Sequence, residues 1–81
     1  MRITIRLFAR LRDLAGGGTL TREVPAGSSV EAVWRVLAQE FPAMAASRAS
    51  LAAAVNAEYA TFATPLRDGD EIAFLPPVSG G

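Results

Sequence analysis

One amphipathic segment, residues 29–41, most restricts the folds open to this chain of 81 residues. Its apolar side chains recur at helical spacing and form one stripe: Val30, Val33, Trp34, Leu37 and Phe41. Ser28 is a candidate N-cap with Glu31 three positions later, as in a capping box, and Pro42 ends the pattern. Glu31 and Arg35 are spaced for an ion pair along the helix. The sequence therefore predicts one main helix with a single apolar face.

Segments on both sides of this helix alternate apolar and polar side chains, which predicts strands. Residues 2–9 form the first strand, and residues 19–25 form the second after a break of three glycines. We expect these two strands to pair as a hairpin with a long loop. Residues 71–75 form the last strand, with Ile72 and Phe74 on one face.

Residues 43–54 are rich in alanine and leave two readings open. Residues 44–48 suit a short helix, whereas residues 51–55 suit a strand. Asn56-Ala57 is a candidate turn, because asparagine tolerates a positive φ, and residues 59–62 suit a short strand after it.

The order of these elements is hairpin, helix, short elements and final strand, which is typical of the α+β class. The most economical packing lays the helix across one face of a mixed sheet and inserts the last strand beside the first. The helix then supplies the crossover that parallel strands need. This is the β-grasp, or ubiquitin-like, arrangement. We predict a β-grasp domain over residues 1–75 and an extended tail over residues 76–81.

Three absent residue types limit the chemistry, since the chain contains no Cys, no His and no Lys. It therefore lacks a thiolate nucleophile, an imidazole base and a Schiff-base amine. Asp68, Asp70 and Glu71, beside Gly69, are interpreted as turn and strand-entry residues rather than catalytic carboxylates. The sequence predicts no metal site, no directly bound cofactor and no enzyme activity in the chain by itself. A carrier, or the partner of an enzyme, fits better.

Charge and hydropathy narrow the partners further. Eight arginines balance eight acidic residues, so nucleic-acid binding is not indicated. Arginines gather near the start and acidic residues near the end, which we interpret as a solvated surface with charge pairing between strands. No apolar run approaches the roughly 18–20 residues that span a bilayer, and the first residues do not resemble a signal peptide. These features predict a cytoplasmic protein without membrane contact.

The C-terminal segment consists of six residues of unusual composition: Pro76, Pro77, Val78, Ser79, Gly80 and Gly81. The prolines cannot donate ladder hydrogen bonds, and they favour a polyproline II form that would reach roughly 18 Å, at about 3.1 Å per residue. A tip of two glycines would pass through a narrow channel in a partner. Its carboxylate is a poor electrophile, so ATP would first form an acyl-adenylate, from which a sulfur nucleophile displaces AMP. A frayed end without function is the alternative.

Two apolar side chains fall out of phase with the predicted core. Phe8 shares the polar face of the first strand, and Leu75 faces away from Ile72 and Phe74. If the first and last strands are neighbours, Phe8 and Leu75 lie close together, and Tyr59 could join them. The sequence leaves two readings open: a partner surface, or a patch that a loop covers.

Four segments resemble the small, sulfur-carrying subunit family of molybdopterin synthase. They are residues 8–16, 54–56, 65–71 and 74–81. The resemblance runs end to end, and its specific part is residues 68–81. The sequence departs from the family pattern at Leu75, where a second Phe is frequent, and at Ala57, where Gly is frequent.

This resemblance implies a β-grasp fold and a carrier role. The C-terminal glycine, here Gly81, would be adenylated by an E1-like activating enzyme, which uses ATP, and converted to a thiocarboxylate with sulfur from a donor. The tail would then enter the large subunit of a heterotetrameric synthase and donate sulfur to cyclic pyranopterin monophosphate. Phe8, Tyr59 and Leu75 would contact both partners. Two alternatives remain: a related carrier for thiazole or cysteine biosynthesis, tRNA thiolation or protein conjugation, and a β-grasp interaction domain without carrier chemistry.

Overall fold

A mixed sheet with helices on one face forms the part of the chain that the structure, a computed structural model, describes: residues 1–76. In chain order the elements are β1 Arg2–Leu7, α1 Ala9–Ala15, β2 Thr19–Glu23, α2 Val30–Glu40, a 3-10 helix Pro42–Ser50, β3 Ala52–Val55, β4 Glu58–Ala60 and β5 Glu71–Leu75. The strand order is β2-β1-β5-β3-β4, and β5 runs parallel to β1. The other neighbouring pairs are antiparallel. This confirms the predicted β-grasp arrangement.

The core lies between the sheet and α2. Alternate residues of β1 and β5 point to it, and the predicted stripe of α2 meets them. Phe74 of β5 is fully buried, with its ring 5.1 Å from that of Trp34 in an edge-on arrangement. Phe62 also stacks on Phe74, with ring centres 5.9 Å apart. The last strand is therefore fixed by aromatic contacts one residue before its end.

The first strand is shorter than predicted, because β1 ends at Leu7 and α1 follows it. Ala9 has a φ of +50°, which turns the chain out of the strand. Only Leu11 of α1 is fully buried, so a helix of two turns gives too little periodicity to be recognised in the sequence. The predicted pairing of the first two strands is confirmed, but a helix connects them and Phe8 is not a strand residue.

The start of α2 differs from the predicted capping box. The side chain of Ser29, not Ser28, accepts the N–H of Ala32 at 3.2 Å. The Ser28 hydroxyl instead donates to the carbonyl of Pro25 at 2.7 Å. The carboxylate of Glu31 binds the guanidinium of Arg48 at 2.7 Å, a partner outside its own helix that only the tertiary structure brings near.

The structure decides between the two interpretations that the sequence left open for residues 43–54. A 3-10 helix, Pro42–Ser50, replaces the predicted short helix, and β3 starts one residue later than predicted. The turn at Asn56-Ala57 is confirmed, with φ of +50° and +69°. β4 ends at Ala60, two residues before the end that the sequence predicted. The chain turns there, because the backbone nitrogen of Thr64 donates to the carbonyl of Thr61 at 3.2 Å.

Ala57 occupies a left-handed position in the two-residue turn between β3 and β4, where glycine avoids the Cβ clash. We expect Ala57→Gly to raise the free energy of unfolding by about 0.5–1 kcal/mol, since the strain exceeds the entropy that glycine adds to the unfolded chain. Urea denaturation measures the change. The same substitution at Ala52, in the extended strand β3, is the control and should destabilise the domain. A lower midpoint for Ala57→Gly would contradict the assignment of strain.

Among the helices of residues 1–76, none combines the length and the apolar character required to cross a membrane.

Candidate docking face and tail root

The start of the C-terminal segment lies beside the end of β1. Because β1 and β5 are parallel, their carboxyl ends meet at one edge of the sheet. Leu7 pairs with Phe74, so Phe8 and Leu75 are the next residues of two neighbouring chain segments. Pro76 follows directly and is the last described residue, whereas Pro77, Val78, Ser79, Gly80 and Gly81 lie outside the described residues. We call this edge the tail end of the sheet.

The face of the sheet opposite the helices carries an apolar strip. The pairing aligns Arg6, Ala73, Ala54 and Tyr59 in one row across four strands. In the next row Leu75 pairs with Ala52. We define the open-face patch as these apolar members: Ala52, Ala54, Tyr59, Ala73 and Leu75.

Exposure within the patch favours the partner-surface reading for Tyr59. This side chain is 84% exposed although it is aromatic. Leu75 and Ala73 are half-buried, and Ala54 is buried. The three alanines form a low floor beside Tyr59, a feature that the alternation of residues 71–75 indicated only for Ala73. A partner surface requires an apolar side chain that protrudes beside other apolar residues, as Tyr59 does here.

Phe8 lies near this patch but by a different route from the predicted one. It is the N-cap residue of α1, has an extended backbone and is 39% exposed. The guanidinium carbon of Arg6 lies 6.0 Å from the centre of its ring. The sequence predicted by strand phase that Phe8 and Leu75 lie together, with Tyr59 as a residue that could join them. The structure places Leu75 and Tyr59 on one face of the sheet and Phe8 at the tail end of that face.

The acidic residues before β5 serve the backbone. The Asn56 amide donates to one Asp70 oxygen at 2.9 Å, and the Arg67 N–H donates to the other at 2.8 Å. The Arg2 N–H donates to the Asp68 carboxylate at 2.7 Å, and Gly69, with a φ of +87°, donates to the Arg2 carbonyl at 2.8 Å. This confirms the interpretation as turn residues. The network fixes the start of β5, at the edge opposite the tail end.

Hydrogen bonding makes three carboxylates acid-sensitive supports of the fold. The Arg67 N–H, and then the Asn56 amide, lower the pKa of Asp70. Arg48 lowers the pKa of Glu31, and Arg22 lowers that of Glu40. Because these pKa values fall on folding, the stabilisation is present above the unfolded-state values and is lost as the pH falls through the folded ones.

We therefore expect the free energy of unfolding to decrease from about pH 5 downward, where the unfolded-state carboxyls begin to bind protons. Asp70→Asn should be less stable than the parent at pH 7, and this difference should shrink toward pH 3. Urea denaturation at several pH values measures it. Asp13→Asn, on the exposed side of α1, is the control. A constant difference between parent and Asp70→Asn would contradict the assigned role.

A second polar cluster ties the loop before β5 to the helices. The Arg48 guanidinium lies 3.5 Å from the centre of the Phe62 ring while it pairs with Glu31. At the first turn of α2, Val30 and Glu31 donate N–H groups to the carbonyls of Thr64 and Phe62 at 3.0 and 2.9 Å. Since Phe62 also stacks on Phe74, the cluster braces β5 close to the tail end.

The described residues do not form a metal site or an enclosed pocket at the tail end of the sheet. Within residues 1–76, no three His, Cys, Asp or Glu side chains cluster so as to hold a metal ion. Two concavities of about 530 and 580 Å³ are open to solvent; one lies at the glycine-rich loop after α1 and the other at the β3–β4 hairpin. The described residues instead present an apolar sheet face beside Pro76, where the C-terminal segment begins.

Comparisons with known proteins agree with this organisation. The ThiS family model matches residues 5–81. The molybdopterin synthase sulfur carrier subunit of Escherichia coli is 43% identical over 82 residues, covering 98% of this chain and 99% of that protein. The crystal structure of SAMP1 from Haloferax volcanii has a TM-score of 0.86 and 30% identity, with full coverage of both chains.

A second similar structure contains a partner chain. It is a protein–protein complex of subunits 1 and 2 of the molybdopterin-converting factor from Helicobacter pylori, with a TM-score of 0.70, 27% identity and full coverage of both chains. The family match spans nearly all of this sequence, and the E. coli relative aligns from end to end. The chain therefore belongs to the ThiS family of β-grasp proteins.

Proposed function

We propose that this chain is the sulfur-carrier subunit of a molybdopterin synthase. The observation that carries the proposal is its end-to-end similarity to the E. coli sulfur carrier subunit, 43% identical over 82 residues. The terminal pair Gly80-Gly81 supports it, because an unhindered glycyl carboxylate suits activation inside another protein. The chain supplies the carrier group, and its partners supply catalysis.

The proposed cycle acts on Gly81. An E1-like enzyme joins the Gly81 carboxylate to the AMP part of ATP and releases pyrophosphate. A persulfide sulfur on the donor attacks the carbonyl, and AMP leaves. A second thiol then attacks the donor-side sulfur of the acyl disulfide that results, forms a disulfide with the donor, and leaves the thiocarboxylate on Gly81. In the large subunit this sulfur passes to cyclic pyranopterin monophosphate, and water restores the carboxylate. Two charged carriers are needed for the two sulfurs of the product.

The open-face patch and Phe8 are the proposed docking surface for these partners. The Helicobacter pylori complex of subunits 1 and 2 supports a large-subunit partner for a chain of this fold. Tyr59, Leu75 and Phe8 would seat the domain while the tail enters the active site. We further propose a heterotetramer of two small and two large subunits, acting in the cytoplasm.

Intact-mass spectrometry tests the carrier chemistry. The full chain is incubated with the E1-like enzyme from the same organism, ATP and a sulfur donor. We expect the mass increase given by exchange of one oxygen for sulfur, localised to the C-terminal peptide. The matched reaction without ATP should show none. Unchanged mass, with an enzyme that forms AMP in the same reaction, would overturn the proposal.

Protein modification is a second candidate, favoured by the fold similarity to SAMP1, a small archaeal modifier protein. Both functions begin with the same adenylate, so the acceptor separates them. Purification from the native cell should recover the large synthase subunit at a 1:1 ratio if the chain is a synthase carrier. Isopeptide-linked adducts on lysines would instead support modification.

Tyr59 tests the docking surface without disturbing the core. Tyr59→Ala should weaken binding to the large subunit about 10-fold or more, as expected for an aromatic anchor. The free energy of unfolding should change by less than about 0.5 kcal/mol, because the side chain is exposed. Calorimetric titration measures the affinity. Glu58→Ala, on the opposite face of the same strand, is the control. Equal affinities of the two variants for the large subunit would show that Tyr59 is not part of the docking surface.

A further inference from the structure

Charge is unevenly distributed along the sheet although the chain is neutral overall. At the tail end, β1 and α1 carry three arginines against one acidic residue: Arg6, Arg10, Arg12 and Asp13. At the opposite edge, the starts of β1, β4 and β5, the end of β2 and the turn before β5 carry two arginines against five carboxylates. The acidic residues there are Glu23, Glu58, Asp68, Asp70 and Glu71, and the arginines are Arg2 and Arg67.

The remaining charges contribute little to this asymmetry. Arg22 pairs with Glu40 at 2.6 Å, and Arg48 pairs with Glu31 at 2.7 Å, so both pairs are locally neutral. Arg35 lies exposed on α2, away from the open face. The charge separation therefore runs along β1 and β5, with its positive end where the tail begins.

Two of the tail-end arginines are available to a partner. Arg10 is exposed and forms no ion pair within residues 1–76. Arg6 is 44% exposed and meets Glu71 only at 3.9 Å, a distance at which a surface pair contributes little. Arg6 also lies 6.0 Å from the ring centre of Phe8, which places its charge directly beside a proposed docking side chain. In contrast, Arg12 lies against Gly18.

We propose that Arg6 and Arg10 form an electrostatic guide that brings the carrier tail-first to an acidic protein surface around the tail entrance of the large synthase subunit. This inference rests on the proposed carrier function and adds the charge of the partner. Opposite charges on the two partner surfaces accelerate their encounter and orient them, whereas the apolar patch slows dissociation of the complex. Reversal of one guiding charge should therefore slow association more than it speeds dissociation.

Stopped-flow association of the full chain with the large subunit tests the guide. At low salt we expect Arg10→Glu to reduce the association rate constant about fivefold and Arg6→Gln about twofold, with dissociation nearly unchanged. Both effects should vanish near 0.5 M salt, where the Debye length falls to about 4 Å. Arg35→Glu, the same charge change on α2, is the matched control and should alter the rate constant less than twofold. Thermal unfolding confirms that all three variants fold.

The outcomes separate the guide from the carrier function. If Arg10→Glu and Arg35→Glu lowered the association rate constant equally, the effect would come from the net charge alone, and the electrostatic guide would be overturned. Faster association of Arg10→Glu would show a basic partner rim and would also overturn it. Absence of any complex between the parent chain and the large subunit would instead count against the proposed synthase function.

Discussion

Deletion of Gly81 should reduce sulfur transfer to background while the folded domain persists. The proposed reactive carbonyl belongs to this residue, and its loss withdraws the terminal carboxylate by about 3 Å from the activating site. A misplacement of that size is enough to prevent reaction in a site built for one geometry. The core contacts extend from Ile3 to Phe74, so we expect the free energy of unfolding to stay within about 0.5 kcal/mol of the parent value.

The assay is synthase turnover with activating enzyme, ATP and sulfur donor, followed by intact-mass analysis of the carrier. Ser79→Ala, which keeps both terminal glycines, is the matched control and should retain transfer. Addition of one alanine after Gly81 should be as harmful as the deletion. Turnover by the shortened chain would show that the terminal glycine is not the carrier position.

Phe74→Ala should cause the largest loss of stability of any single truncation in the sheet. The ring is fully buried and contacts both Trp34 and Phe62. Removal of a buried aromatic side chain costs about 3–5 kcal/mol, because it loses apolar burial and leaves a cavity. A domain of this size has about 4–12 kcal/mol in total. We therefore expect a marginal fold at 37 °C and a disordered root for the tail.

Urea denaturation followed by circular dichroism measures this loss. Leu75→Ala is the control, since its side chain lies on the open face and should cost about 1 kcal/mol or less. Sulfur transfer adds a second readout: Phe74→Ala should lose activity in proportion to its unfolded fraction, whereas Leu75→Ala should lose affinity while folded. A Phe74→Ala midpoint close to that of Leu75→Ala would contradict the aromatic brace.

The two predictions concern two parts of the molecule, the C-terminal glycine and the packed core around Phe74. Packing around Phe74 fixes the end of β5, and the proposed function assigns the reactive group to Gly81 in the segment after it. The open-face patch lies on the sheet face that is turned away from the core, and Tyr59 is its most exposed side chain. The proposed carrier function needs this division, because partners would bind the domain while they act on Gly81.

The sequence determined those features whose signal is local. The stripe of α2, the alternation in β1 and β5, the turn at Asn56-Ala57 and the acidic turn before β5 are all readable from neighbouring residues. The Gly80-Gly81 terminus, with the prolines before it, likewise suggested carrier chemistry without any knowledge of the fold. Apolar periodicity and turn chemistry survive in the folded molecule because they set which face of each segment is buried.

Tertiary structure decided what depends on distant partners. Helix α1 has one fully buried residue and was hidden behind a strand pattern, so its position and that of Phe8 could not be read locally. The capping choice between Ser28 and Ser29, and the pairing of Glu31 with Arg48 rather than Arg35, follow from contacts with other segments. The alanine floor and the charge separation along the sheet exist only because strands far apart in sequence become neighbours, and a single sequence does not specify that register.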